Sequence, residues 1–211
     1  MKKPRIILAD DHRLLREAFQ TLLESQYDVV GAVSDGHALL ECATRLHPDV
    51  VVLDVGMPLL NGLDAARQLK KMMPCVKVVF LTMNDDSDLA NRAMQGGASA
   101  YLLKCCGSSE LFHAIEEALR GRQYVTKQVA RGMQESFIQG PPGRRRERPT
   151  PRQRQVIQLL AEGKSMKETA SVLQMTPRGV AFHKYRIMQE LGFKSNADII
   201  KFAVKNDLVA N

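Results

Sequence analysis

Apolar positions follow two different rhythms along this chain. In the first 120 residues, short continuous apolar runs stand at Ile6–Ala9, Val29–Val33, Val50–Leu53, Val78–Leu81 and Ala100–Leu103. They are rich in Val, Ile and Leu and do not alternate with polar residues, as expected of strands buried on both faces of a parallel sheet. Between them, apolar residues recur at helical spacing: Leu14, Leu15, Ala18, Phe19 and Leu22; Ala38, Leu39 and Cys42; Leu63, Ala66 and Leu69; Leu89 and Ala93; Leu111, Ile115 and Ala118. Asn61-Gly-Leu-Asp64 has the form of a capping box, Ser108 is placed to cap the fifth helix, and Asp85, Asp86 and Asp88 suit the start of the fourth. Five strand–helix repeats predict an α/β domain built on a doubly wound, five-stranded parallel sheet.

The rhythm then changes. Val125–Phe137 is amphipathic and suits a short helix extending the first domain. Gln139-Gly-Pro-Pro-Gly-Arg-Arg-Arg-Glu-Arg-Pro149 follows, and paired prolines, glycines and a charge run cannot build a core. From Thr150 the pattern is wholly helical. Thr150-Pro-Arg-Gln153, Ser165-Met-Lys-Glu168 and Ser195-Asn-Ala-Asp198 mark three helix starts, Thr176-Pro177 marks another, and Gly163 and Gly192 mark stops. Two short helices, a tight turn at Gln174-Met175 and a longer helix make a helix-turn-helix arrangement within an all-α, four-helix domain. The expected organisation is a first domain over 1–121, a linker over 122–148 and a helical domain over 149–211.

Composition narrows the partners more than the fold. The chain has 211 residues, 45% hydrophobic and 25% charged, which excludes fibrous and wholly disordered classes. No apolar run approaches the roughly 18 residues of a membrane span. Met1-Lys2-Lys3-Pro4-Arg5 leads directly into a strand-like run, unlike a secretory signal. Four cysteines give no disulfide scaffold, so a reducing, cytoplasmic home is expected. The adjacent Cys105 and Cys106 read either as small packing residues or as a redox pair. Residues 1–120 hold 13 Lys and Arg against 16 Asp and Glu, whereas residues 121–211 hold 17 against 7. An acidic first half is therefore joined to a basic second half, which suits a polyanion such as nucleic acid.

The chemistry-bearing residues fall at strand ends. Asp10 and Asp11 follow the first strand, Asp54 follows the third, Thr82 ends the fourth, and Lys104 follows the fifth. In an open parallel sheet the carboxyl ends of the strands line the ligand crevice at the switch point of strand order. Three carboxylates gathered there repel one another, and a hard divalent cation such as Mg2+ relieves the repulsion. A carboxylate beside such a cation is a candidate nucleophile toward phosphorus, with the lysine and hydroxyl placed to hold phosphoryl oxygens. A buried Asp54 after four apolar residues is costly unless it serves such a purpose.

Asp10-Asp11, Asp54-Val-Gly-Met57-Pro58, Asn61-Gly62, Thr82 and Lys104 resemble the receiver domain of bacterial two-component response regulators. Thr150-Pro-Arg-Gln, Leu159-Leu-Ala-Glu-Gly-Lys-Ser165, Lys167-Glu168 and Val180-Ala-Phe-His183 are similar to the LuxR-type helix-turn-helix. The two occur in order over nearly the whole chain, so the chain resembles the NarL/FixJ class of transcriptional regulators, with a CheY/flavodoxin-like first domain. The resemblance implies that Asp54 accepts a phosphoryl group from a sensor histidine kinase. It implies that Asp10, Asp11, Asp54 and the carbonyl of Gly56 hold Mg2+, and that Thr82, Tyr101 and Lys104 respond to the phosphoryl group. An ordinary half-buried aromatic is the other reading of Tyr101. The family usually carries Pro or Ala after the lysine, often with a cis peptide. Here Cys105 follows, and a cis bond would cost about 2.5–4 kcal/mol.

In the second half, Val180, Ile187 and Leu191 are spaced for burial. Arg178, Ala181, Lys184, Tyr185 and Gln189 are left for the outside, as candidates to meet double-stranded DNA. His183 sits where the family carries a histidine. Ala181 stands where the family often has Lys, and it offers only a methyl contact. Gly179 weakens the helix by about 1 kcal/mol relative to Ala. The resemblance implies a homodimer on phosphorylation, with Ile199 and Phe202 of the last helix as candidate contacts, and RNA polymerase as a further partner. Two rival functions stay open on the residues alone. One is a Mg2+-dependent phosphatase using Asp54, although no substrate-cap insertion is visible. The other is a dimeric DNA-binding protein indifferent to phosphorylation.

Overall fold

A computed structural model describes residues 3–138, 149–206 and 208–209. The proline- and arginine-rich tether expected over 139–148 lies outside the described residues. The chain divides into two compact units, Met1–Val55 with Gly62–Pro141, and Gly56–Asn61 with Pro142–Asn211. Among the described residues no helix is long and apolar enough to cross a membrane.

The first unit alternates strand and helix. Its order is β1 (Arg5–Ala9), α1 (Arg13–Glu24), β2 (Asp28–Val33), α2 (Gly36–Leu46), β3 (Val50–Leu53), α3 (Gly62–Met72), β4 (Lys77–Thr82), α4 (Ser87–Gln95), β5 (Ala100–Leu103), α5 (Ser108–Leu119), β6 (Tyr124–Val125) and α6 (Lys127–Ile138). The sheet runs β2-β1-β3-β4-β5-β6, and every pairing is parallel. Strand order reverses at β1, whose neighbours are β2 and β3. The crevice expected there opens at the carboxyl ends of β1 and β3.

The central strands are buried on both faces, which is why they read as continuous apolar runs. Ile6, Leu8, Val50, Val52, Val79, Leu81 and Leu102 point to one side, against Leu23 of α1 and Leu111, Ala114 and Ile115 of α5. Phe80 and Tyr101 are buried on the other side with ring centroids 6.1 Å apart.

Four expectations change here. The sheet has six strands, because the two-residue β6 pairs with Ala100 and Tyr101 of β5. The amphipathic stretch read from Val125 is this strand followed by α6, which packs against α4. On α1, Leu14 is 79% exposed and Ala18 is also exposed, whereas Leu23 is fully buried. The helix thus turns Leu15, Phe19, Leu22 and Leu23 inward, a stripe shifted toward its C-terminal end. Ser108 is the first residue of α5 rather than its cap; Gly107 holds that position with no side-chain hydrogen bond.

The second unit contains α7 (Pro151–Ala161), α8 (Met166–Val172), α9 (Pro177–Leu191) and α10 (Asn196–Lys205). Val156 and Leu159 of α7 pack with Ala170 and Leu173 of the α8 segment and Val180 of α9. Ile157, Ile187, Ile199, Ala203 and Leu208 form a second cluster. The three capping boxes close with reciprocal bonds at Thr150 and Gln153, Ser165 and Glu168, and Ser195 and Asp198. Gln174 takes φ 51°, which turns α8 sharply into α9.

Gly179 has a structural reason. Its N–H donates to Oγ1 of the N-cap Thr176 at 3.1 Å. A Cβ there would lie 3.0 Å from the Met175 methyl and 3.4 Å from that same oxygen. The missing side chain lets Met175 sit against the cap.

Candidate functional site

The acidic residues meet at the carboxyl ends of β1 and β3. Asp10 follows β1 and is 2% exposed; Asp54 follows β3 and is 6% exposed. Backbone bonds carry the strands to these points. Asp10 N–H donates to Val33 O at 3.1 Å, and Asp54 N–H donates to Ala9 O at 2.9 Å. Side-chain orientation is then fixed locally: Asp10 Oδ1 accepts from the His12 backbone at 2.9 Å, and Asp54 Oδ1 accepts from the Val55 backbone at 2.6 Å.

Lys104 joins the two acids. Its Nζ lies 2.7 Å from Asp10 Oδ2 and 2.6 Å from Asp54 Oδ2, and its side chain is only 2% exposed. Burial pulls the ammonium down, but the hydrogen bonds and charges of Asp10 and Asp54 outweigh burial and hold Lys104 above the ordinary lysine value. The Lys104 ammonium therefore keeps its proton at neutral pH. Among the described residues all peptide bonds are trans, including Lys104–Cys105.

The close packing behind Asp54 explains the glycine of the expected Asn61-Gly62 pair. Gly62 N–H donates to Val55 O at 2.8 Å, and a Cβ on Gly62 would fall 1.9 Å from the Asp54 carbonyl oxygen. Only glycine allows α3 to start this close to the end of β3.

Asp11 is half-buried beside these groups. Asp10, Asp11, His12 and Asp54 each offer an atom within 4.8 Å of the others. Three carboxylates converging on one point form the oxygen-rich donor set that suits a hard divalent cation, so the residues present fit Mg2+. Gly56 stands two residues beyond Asp54 and is half-buried.

Thr82, at the end of β4, is 3% exposed, and its Oγ1 accepts from the Asn84 backbone at 3.3 Å. Tyr101 is fully buried, and its hydroxyl donates to the Asn84 carbonyl at 2.9 Å. Asn84 thus links the two residues expected to respond together. Gln128 of α6 donates to Asp85 of the same loop at 3.1 Å.

Two contributors gave little sign of themselves in the sequence. His12 Nδ1 lies 2.9 Å from Asp11 Oδ1 and 3.4 Å from Asp10 Oδ1; adjacency to the acids was its only signal. Arg16, on α1, donates to the Asp10 backbone carbonyl, a contact that leaves no residue-type pattern. Of the adjacent cysteines, Cys105 is exposed. Burial, with Glu110 and Cys105 nearby, pushes the Cys106 thiol up to about 11, so it stays protonated at neutral pH.

In the second unit, α9 carries the expected contacts on two sides. Arg178, Tyr185 and Gln189 are exposed, while Ala181, His183 and Lys184 are half-buried. Phe182, not singled out by spacing, is 60% exposed, its ring 5.6 Å from that of His183. On α10 the expectation for Ile199 is corrected: at 2% exposed it belongs to the unit's own core. Phe202 packs partly against the same core with its ring 5.4 Å from Phe193. The large apolar side chains of α10 that are exposed are Ile200 and Val204.

Known proteins share both halves of this arrangement. Residues 6–116 match the family described as the response regulator receiver domain, and residues 150–203 match the bacterial regulatory proteins of the luxR family. The chain belongs to the NarL/FixJ class of response regulators. This response regulator is 32% identical to the uncharacterized transcriptional regulatory protein YxjL of Bacillus subtilis, over 98% of each chain. It is 30% identical to the response regulator GacA of Pseudomonas aeruginosa, over 97% of each. Its fold is also that of the RcsB response regulator of Salmonella typhimurium, with a TM-score of 0.68 at 22% identity, covering 98% of this chain and 99% of that one. As a member of this class, it is a transcriptional regulator made of a receiver domain and a LuxR-type DNA-binding domain.

Proposed function

We propose that Asp54 is the phosphoacceptor, and that its phosphorylation by a sensor histidine kinase controls DNA binding by the helical domain. The observation that carries this reading is the buried Lys104 ammonium held between Asp10 and Asp54 at the mouth of the β1/β3 crevice. A carboxylate so held is oriented for attack and has a cation beside it to hold the oxygens of an incoming phosphoryl group.

A carboxylate oxygen of Asp54 attacks the phosphorus of a phosphohistidine. The nitrogen–phosphorus bond breaks, the imidazole leaves and an acyl phosphate forms. Asp10, Asp11, Asp54 and the Gly56 carbonyl would hold Mg2+, which would supply charge neutralisation for the phosphoryl oxygens. Lys104 follows the oxygens of the acquired group, and Thr82 supplies a hydroxyl from β4. Moving Thr82 disturbs the Asn84 backbone, to which the Tyr101 hydroxyl is bonded. That loop is tied to α6 through Asp85 and Gln128. A local charge event thereby biases a packed element at the end of the receiver unit.

The helical domain then binds double-stranded DNA with α9 in the major groove, and a homodimer places two such helices on paired half-sites. Arg178 and Lys184 supply cations for phosphate contact, and His183 and Tyr185 lie on the same helix. Ile200 and Val204 give α10 an apolar outer surface for a two-fold contact. RcsB, of the same fold, has been solved in complex with DNA. The reading places this regulator in the cytoplasm, where kinase and DNA are both accessible.

Intact mass after incubation with Mg2+ and a small phosphodonor tests the assignment. Wild type should gain one phosphoryl adduct, lost in Asp54→Asn and lost without Mg2+. A stoichiometric adduct retained by Asp54→Asn would defeat it.

A further inference from the structure

The recognition helix α9 presents two chemically different stripes. Positions 180, 184, 187 and 191, spaced four, three and four residues apart, run along the side nearer the unit's interior: Val180 and Ile187 are fully buried, Leu191 packs partly against the core, and Lys184 is half-buried at the edge of that side. Arg178, Phe182, Tyr185 and Gln189 follow the same spacing on the opposite side, and all four are exposed. Phe182 and Tyr185, at 60% and 61% exposed, occupy the centre of that outer stripe. Two adjacent solvent-facing aromatics on a helix whose other side fills the core are what a contact surface requires.

Both rings also have fixed neighbours. Lys184 Nζ lies 5.9 Å from the Tyr185 ring centroid, and the Phe182 ring meets His183 edge to face. Each ring thus keeps a contact on its own helix while more than half of its surface stays exposed. Apart from the Tyr185 hydroxyl, the middle of the stripe offers no hydrogen-bonding group; Arg178 and Gln189 supply those at its ends. The half-buried Ala181 adds a methyl at its edge.

In the major groove the one apolar feature of a base edge is the C5-methyl of thymine, which Phe and Ala side chains contact. We propose that the α9 stripe reads thymine methyl groups, Phe182 and Tyr185 each covering one. The DNA sites of this regulator then carry thymines at the centre of each half-site. The proposal rests on the DNA-binding reading above. The basic second half, with 17 Lys and Arg against 7 Asp and Glu, supplies the phosphate attraction that such uncharged readout lacks.

The test uses the full-length protein, treated with Mg2+ and phosphodonor, to select duplexes from a random pool. In the selected duplex each thymine is then replaced singly by deoxyuridine, which removes only the methyl group. Loss of the methyl should weaken binding about fourfold at each of two thymines in a half-site. The salt dependence should stay unchanged, because the phosphate contacts persist. Phe182→Ala should abolish the penalty at one of these thymines, and Tyr185→Ala at the other. Both variants are exposed substitutions, and their folding is checked by helical circular dichroism. Tight binding by wild type that is indifferent to every deoxyuridine overturns methyl readout and leaves DNA binding standing. Retention of no duplex, even at low salt, overturns both.

Discussion

Lys104 shows how much one residue can settle. It lies 50 residues from Asp54 and 94 from Asp10 in sequence, yet its single ammonium bonds both. Removing it leaves two buried carboxylates facing each other, the costly way to break a buried ion pair. Lys104→Met should therefore lose about 3–5 kcal/mol of stability in metal-free buffer. Millimolar Mg2+ should restore part of that loss, as read by urea denaturation with and without the ion. Because the pair holds Lys104 above the ordinary lysine value, its stabilisation is present in full below that value and fades as pH rises through the raised one. Asp54, Asp10 and Lys104 were legible because each polar residue directly follows an apolar run. His12 and Arg16 were not, since they act through the geometry of the Asp10 turn. Phe182 was hidden by its type: an aromatic on a helix reads as core until the opposite side is seen to be full.

At the scale of elements, caps written in the sequence formed where the side chain had a free N–H within reach. Thr150 and Gln153 bond each other's backbone across the first turn of α7. Thr150→Ala should cost about 1 kcal/mol, seen as a lower melting temperature of the helical unit by circular dichroism. Ser108 failed as a cap because the chain enters α5 one residue earlier, at Gly107. The α1 stripe was misplaced because Leu14 and Ala18 satisfy helical spacing as well as the residues that are actually buried. β6 was missed because two residues are too few to carry a strand period. It is defined by its partner, with Tyr124 N–H donating to Ser99 O at 3.0 Å and Thr126 N–H to Tyr101 O at 3.1 Å.

Across the whole molecule, the change of rhythm near residue 121 and the swing from acidic to basic charge mark off two kinds of structure in the sequence itself. Four buried strands with β2 as a half-buried edge strand make the parallel sheet read from five apolar runs, and capped short helices make the second unit. Where the receiver ends was harder to read, because β6 and α6 look like the start of a connection. That short strand lies along the backbone edge of β5, beside Tyr101. An uncovered strand edge invites pairing with another chain. A fragment ending at residue 121 should therefore self-associate as its concentration rises, whereas one ending at residue 138 should sediment as a monomer in the absence of phosphodonor. On that prediction two residues of strand guard this edge against polymerisation, and a fragment lacking them would, by aggregating, pass for a switch that dimerises.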